Sequence, residues 1–237
     1  ESAPLLLERL LDQAKEKGWL KGGRRQRTDS SHVLANIQQL NRIEMVGETL
    51  RHALNEIARR EPEWLQDNIP SEWWSRYVRR IDEARLPKAL DARKELAETI
   101  GRDGLHLVAL VNQDDAPPEL AHLEAIRTLE LIWRDQYDMD DPDDPSPRWR
   151  GKGQLPPASQ RLVSPHDTDA RYANKGHTQW RGYKVHFTET CEPDAPHLIV
   201  HVHTTHAAVQ DVEAVEVIHA HLERKGLLPD EQLMDGM

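Results

Sequence analysis

Hydrophobic residues recur at two different periods along this chain, and the change of period divides it. Leu5, Leu6, Leu7, Leu10 and Leu11 fall among charged positions at helical spacing, predicting an amphipathic helix over 5–17. Gly18 and the pair Gly22 and Gly23 break it, and 24–32 reads as a short strand on weak propensity. From Val33 the spacing is three and four: Val33, Leu34, Ile37, Leu40, Ile43, Val46, Leu50, Leu54 and Ile57 predict one long helix over 33–60. Pro62 and Pro70 bracket a linker holding Trp64, and Ser71 reads as the N-cap of a helix opening at Glu72, Trp73 and Trp74. Leu86–Ile100 is helical and stops at Gly101, while 105–111 is too short to assign. A further helix runs from Pro117 and Pro118 to about Tyr137, so 33–137 is expected as an all-helical block.

Beyond it the period shortens. Trp180–Thr188 alternates large and polar residues, as does His197–Thr204, and 192–196 turns between them, so the pair predicts an antiparallel hairpin. Val209, Val212, Val215, Ile218 and Leu222 mark a helix over 208–224 that Gly226 ends. Leu227, Leu228 and Pro229 turn the chain into a short strand at 231–235. No internal repeat is evident.

Charge changes this picture by its distribution more than its sum. The 237 residues carry a net charge of −10, from 31 Lys and Arg against 41 Asp and Glu. Between Lys15 and Arg27, six cations stand against Glu16 alone. Between Asp135 and Asp144 there are six acids and no cation, and 140–147, with three prolines, reads as a solvated loop within an acidic, Pro-rich linker at 138–160. Mean hydropathy is −0.76, and no apolar run approaches the roughly 20 residues of a membrane span. Glu1-Ser2-Ala3-Pro4 leads straight into the leucine-rich segment without a signal-peptide pattern. Cys191 stands alone, which excludes an intrachain disulfide and points to an intracellular protein. The start at Glu1 and the stop at Met237 suggest a piece of something longer.

Candidate chemistry centres on Asp29, a single acid after a basic run and before Ser30 and Ser31. Locally the reading as a helix N-cap leads, since Asp and Ser accept hydrogen bonds from free first-turn amides. The order of elements changes this: strand, strand, strand, helix, strand, with Asp29 on the first and Asp235 ending the last. A right-handed crossover would set the fourth strand beside the first and bring the two acids together.

Several segments resemble, in the same order, those of bacterial insertion-sequence transposases of the DDE class. They are Arg27–Val33, Leu86-Pro87-Lys88, Leu155–Ser159, Asp169–Tyr172, Trp180–His186 and Thr188–Cys191, with Gln232–Gly236 last. The resemblance implies an α/β fold: a partial ribonuclease-H-like mixed sheet with a large all-helical insertion after the first strand. Residues 1–23 would end an N-terminal helical region, 24–32 with 161–237 would form the incomplete core, and 33–137 would be the insertion. It implies Asp29 and Asp235 as catalytic, metal-holding acids, with Mg²⁺ or Mn²⁺ as cofactor. The family's third acid, a Glu further on, has no counterpart before Met237, and Gly236-Met237 departs from the family's small residue, Gly and aromatic. Two Mg²⁺ ions about 4 Å apart serve such chemistry by stabilising attacking and leaving oxygens. The implied activity is strand cleavage and transfer at double-stranded transposon ends, compatible with a homodimer, in the bacterial cytoplasm at the nucleoid.

Cations interleaved with aromatic residues fit such a partner: Arg24, Arg25, Arg27, Arg148, Arg150, Lys152, Arg171, Lys175, Arg181 and Lys184 could meet phosphates, and Trp180 or Tyr183 could stack on bases. The bland alternative puts Trp180 and Tyr183 in the core. His197, His201, His203 and His206 invite a zinc site, but strand spacing alone is weak and no Cys or acid completes a set. Polar positions on a half-exposed strand account for them better. Two rival functions stay open: a catalytically dead DNA-binding remnant, and a small hydrolase or nuclease with an unrelated two-acid site.

Overall fold

Along β1 (Arg25–Leu34) Gln26 and Thr28 are buried while Arg25, Arg27 and Asp29 are exposed, so one face of this strand enters a core and the other does not. A computed structural model describes residues 2–37, 40–82, 86–139 and 146–234. The fold is mixed α/β, with two compact units: 1–35 with 173–237, and 36–172.

The first unit is a mixed sheet with helices. β1 pairs antiparallel with β5 (Thr178–Thr190), from Gln26 opposite Thr190 to Leu34 opposite Gly182. β5 pairs antiparallel with β6 (Ile199–His206), and β4 (Arg171–Lys175) also joins it. β1 pairs in parallel with β7 (Glu231–Met234), from Arg25 opposite Glu231 to Thr28 opposite Met234. The crossover from β6 to β7 is α7 (Asp211–Arg224), which closes with Gly226 in the left-handed region (φ 64°). There the amides of Gly226 and Leu227 donate to Glu223 and Leu222, satisfying carbonyls the helix leaves open. Ala214, Ile218 and Leu222 of α7 pack with Val200, Leu227, Leu20, and Leu11 and Ala14 of α1 (Ser2–Glu16). Burying a side chain such as Ile218 contributes roughly 2–3 kcal/mol. Several polar residues of the covered face join one another: Thr28 Oγ1 lies 2.8 Å from Thr188 Oγ1 and accepts from Gln232 Nε2 at 2.9 Å, and Gln26 Nε2 donates to the Leu227 carbonyl.

The second unit is built from α2 (Arg42–Arg60), α3 (Pro62–Asn68), α4 (Glu72–Tyr77), α5 (Leu90–Val111) and α6 (Glu124–Gln136). The expected helix over 33–60 is shorter: Val33 and Leu34 belong to β1, and Asn41 starts α2. The Asn41 side chain accepts from the amides of Ile43 and Glu44, and Glu44 accepts from the Asn41 amide in return. Asp29, mid-strand, caps nothing. Ser71 precedes α4 but makes no side-chain cap.

Gly101 does not end its helix either. α5 runs through it to Val111 because both its glycines admit aromatic rings of α6 and its C-terminal neighbour. A Cβ on Gly104 would stand 2.2 Å from Trp133 Cζ2, and one on Gly101 2.6 Å from Tyr137 Cε1. Trp133 Nε1 donates to the Gly101 carbonyl and the Tyr137 hydroxyl to that of Ala97. The helix expected from Pro117 starts at Glu124, after a short 3-10 turn at Leu120–His122. Part of the expected linker is ordered: β2 (Tyr137–Asp138) pairs with β3 (Arg148–Trp149), and a 3-10 turn follows at Lys152–Gln154. Residues 140–145 of the acidic run lie outside the described residues.

Candidate functional site

Asp29 lies on the open face of the sheet. Its backbone pairs with Phe187, which pairs in turn with Val202, and these two apolar side chains are 38% and 40% exposed. Asp29 Oδ1 accepts from the Ser30 amide at 2.7 Å. This leaves a hard oxygen donor facing outward on a rigid strand, a property a divalent cation requires of a ligand. Asp235 lies outside the described residues. The described part of β7 ends one residue earlier, at Met234, which is the parallel partner of Thr28. Among the described residues no three His, Cys, Asp or Glu side chains gather where they could hold a metal ion.

On the covered face, the residues after Asp29 meet a network that no sequence spacing marks. Asp211, the first residue of α7, accepts from Ser30 Oγ at 3.0 Å and from Lys184 Nζ at 3.3 Å, and Lys184 also donates to the Val209 carbonyl. His186 Nδ1 stands 3.6 Å from Asp211 Oδ1, and its Nε2 is 3.0 Å from Thr205 Oγ1. Burial raises the Asp211 carboxyl, but the Ser30 hydrogen bond and the charges of Lys184 and His186 outweigh it and hold the carboxyl below its usual range. Burial, despite Asp211, lowers the His186 imidazole. An acid in a helix's first turn reads from sequence as a complement to the helix dipole. Its partner Ser30 is 181 residues away, so only folding reveals the link.

The cations read as DNA contacts divide by what holds them. Lys184 is buried into that network, with a side chain 12% exposed. Arg25 pairs with Glu231 at 3.2 Å, Arg27 with Glu189, and Arg148 with Asp138 at 3.5 Å. Arg150 donates to the Tyr137 carbonyl and Arg171 to those of Thr168 and Ala170, so both hold backbone together. Arg181 and Arg24 are half-buried, whereas Lys152 and Lys175 are exposed. Arg148, Arg150 and Lys152 belong to the second unit, Arg24 and Lys175 to the first. Trp180 is buried and stacks on His32 at 3.7 Å between ring centroids, so its ring is not offered to a base. His201 and His203 do share a face, but it is the face that α7 covers, and His201 is buried rather than half-exposed.

The second unit holds a polar site the sequence did not suggest. Glu48 of α2 is fully buried and receives Arg51 through two hydrogen bonds (2.7 and 2.8 Å), His166 Nε2 at 2.8 Å and Arg80 at 3.4 Å. His166 lines a cavity of about 330 Å³ with His52, Glu56, Arg60, Thr128 and Thr168. In the first unit, an open groove of about 790 Å³ runs between α7 and β7, lined chiefly by Val212, Val215, Ala220, Leu228 and Met234. No helix among the described residues is long and apolar enough to cross a membrane. In comparisons with known proteins, no family model, no curated protein sequence and no solved structure matches this chain.

Proposed function

We propose that this chain carries part of the catalytic core of a DNA transposase of the DDE class, with a ribonuclease-H-like sheet. The observation that carries the reading is a register: β1 and β7 run parallel, and Thr28 opposite Met234 are the residues just before Asp29 and Asp235 in sequence. Antiparallel neighbours β1, β5 and β6, then a helical crossover to a strand parallel with β1, is the order such a sheet requires. The outward carboxylate of Asp29 supports the role of metal ligand. Bound Mg²⁺ would stabilise the charge that develops on phosphate oxygens during strand cleavage. The described residues supply one such ligand rather than a complete set.

A second reading is a protein that binds transposon-end DNA without cutting it, which needs only the exposed cations. Under both readings the exposed Lys175 and half-buried Arg24 meet phosphates, while the net charge of −10 opposes tight association. Two phosphate contacts give a roughly 12-fold loss of affinity between 50 and 200 mM salt.

Two measurements on the same chain test the proposal. Mn²⁺ should broaden the amide resonances of Thr28–Ser31 and Phe187, and Asp29→Asn should abolish that broadening. Binding to linear duplex DNA should fall with salt by about the stated factor, with plasmid nicking near background because the chain offers two acids of the family's three. Broadening without DNA binding would leave a metal protein of another class, and DNA binding without broadening would favour the binding-only reading. Neither effect would sink both.

A further inference from the structure

Four imidazoles lie together on the covered face of the sheet: His186 of β5, His201 and His203 of β6, and His221 of α7. Ring centroids are 5.1 Å apart for His201 and His221, 6.2 Å for His201 and His203, 6.4 Å for His203 and His221, and 6.1 Å for His186 and His203. Their planes lie within 15° to 35° of parallel. His221 Nδ1 lies 2.7 Å from the Val217 carbonyl, so that nitrogen carries a proton and donates it to the carbonyl. His201 is 7% exposed, and its Nε2 has no hydrogen-bond partner.

A proton added to His201 would therefore create a buried charge with no acceptor beside it. The groups around the stack offer little compensation. β5 contributes Lys184, α7 contributes Asp211 and, on its groove side, His219, and Lys225 follows α7. Asp211 stands 3.6 Å from His186 and is committed to Ser30 and Lys184. From α1, Lys15 donates to the Lys225 carbonyl, and Glu8 stands 3.9 Å from Lys225 Nζ. β1 presents Thr28 and Ser30, and β7 presents Gln232, all uncharged.

We propose that this histidine stack is a pH-operated latch: while neutral it holds α7 against the sheet, and when acid charges it α7 is released. Neutral rings pack face against face, whereas charged rings at these separations repel one another and demand solvent. The direction of linkage follows from His201. Burial first, then the charges of His221, Lys225 and His203, bring its ionisation from the ordinary 6.5 down to about 4. Burial and His221 lower His203 in the same sense. Between those values the released form binds more protons than the closed one. The latch is thus fully closed above 6.5 and weakens as pH falls toward 4. For His201 alone, moving from pH 7.5 to 5 raises the opening constant about 30-fold. Release also frees Asp211 from Ser30, so acid would loosen β1 next to Asp29.

The test is hydrogen exchange on the whole chain at pH 7.5 and 5.0, corrected for intrinsic chemical rates, in the native sequence and in His201→Phe. Phenylalanine keeps an aromatic ring in the stack and cannot titrate. Protection of Ala214, Ile218 and Leu222 should fall at least about 30-fold in the native chain and by a clearly smaller factor, the part left to His203, in His201→Phe, with α5 unchanged in both. Equal falls in both proteins, or no fall in the native chain, would overturn the latch. Should His201→Phe not fold, the NMR titration of His201 Cε1–H in the native chain decides. A midpoint near 4 supports the latch, and one at or above the ordinary value of 6.5 overturns it.

Discussion

Replacing Glu48 with Gln tests how much a buried charge holds the helical unit together. The carboxylate is 0% exposed, and its oxygens take two hydrogen bonds from Arg51, one from His166 and a longer one from Arg80. Burial pushes its ionisation up; the hydrogen bonds of Arg51 and His166 and the charges of Arg51 and Arg80 reverse this and bring it to about 2, against the ordinary 4.5. The difference corresponds to about 3 kcal/mol of folding stability. Because the folded value is the lower, this contribution is present above 4.5 and is lost as pH falls toward 2. Glutamine keeps the shape and removes the charge, which leaves Arg51 and His166 facing a weaker acceptor. At pH 7 Glu48→Gln should therefore cost about 3 kcal/mol, near the lower end for breaking a buried pair. Its stability should also be flatter than the native chain's between pH 5 and 2. Urea unfolding followed by exchange of the Trp133 indole proton reads this unit alone, since that proton is held by the Gly101 carbonyl. A loss below about 1 kcal/mol, or an unchanged pH profile in the variant, would refute the reasoning.

Two further substitutions probe packing and sheet pairing. Gly104→Ala adds a better helix former, worth about 1 kcal/mol in isolation, yet its Cβ would enter the ring of Trp133. A net destabilisation of about 1–3 kcal/mol is expected by urea unfolding, and a neutral result would show that the ring can move aside. Thr28→Val keeps the shape but strips the oxygen shared by Thr188 and Gln232. It should cost about 1–3 kcal/mol, and amide exchange should rise in β7 before α5.

How much of this was legible in the sequence depends on whether the deciding contact is local. The period-two stretches gave the β5 and β6 hairpin, and the helical spacing after Val209 gave α7 with Gly226 at its end, because side-chain alternation and a left-handed glycine are properties of short segments. The stop expected at Gly101 failed because a glycine that admits Tyr137 looks, in one dimension, like a glycine that breaks a helix. Val33 and Leu34 fit a helical stripe equally well, and only pairing with Tyr183 and Gly182 makes them strand. At the candidate site, Asp29 was visible through its basic flank and its resemblance to a family segment. Asp211, the histidine stack and the Glu48 cluster were not, since each joins residues that meet only in three dimensions. Lys184, read from the sequence as a phosphate contact, joins the Asp211 network through residues that are likewise distant in the chain.

The division of the first unit into 1–35 and 173–237 has a consequence for how the chain acquires its structure. During synthesis β1 emerges long before β5, its antiparallel partner, with Gln26 waiting for Thr190. The contacts that bring β1 into this sheet are all distant in sequence, so its completion is slow by topology, whereas the intervening helices can form from local contacts. Meanwhile β1 is an unpaired strand, the kind of edge that recruits neighbouring chains. Its sequence is suited to the wait: Arg25, Arg27, Asp29, Ser30 and Ser31 make it polar and charged along most of its length. The same residues that give this strand its candidate chemistry also guard it against aggregation until its partners arrive.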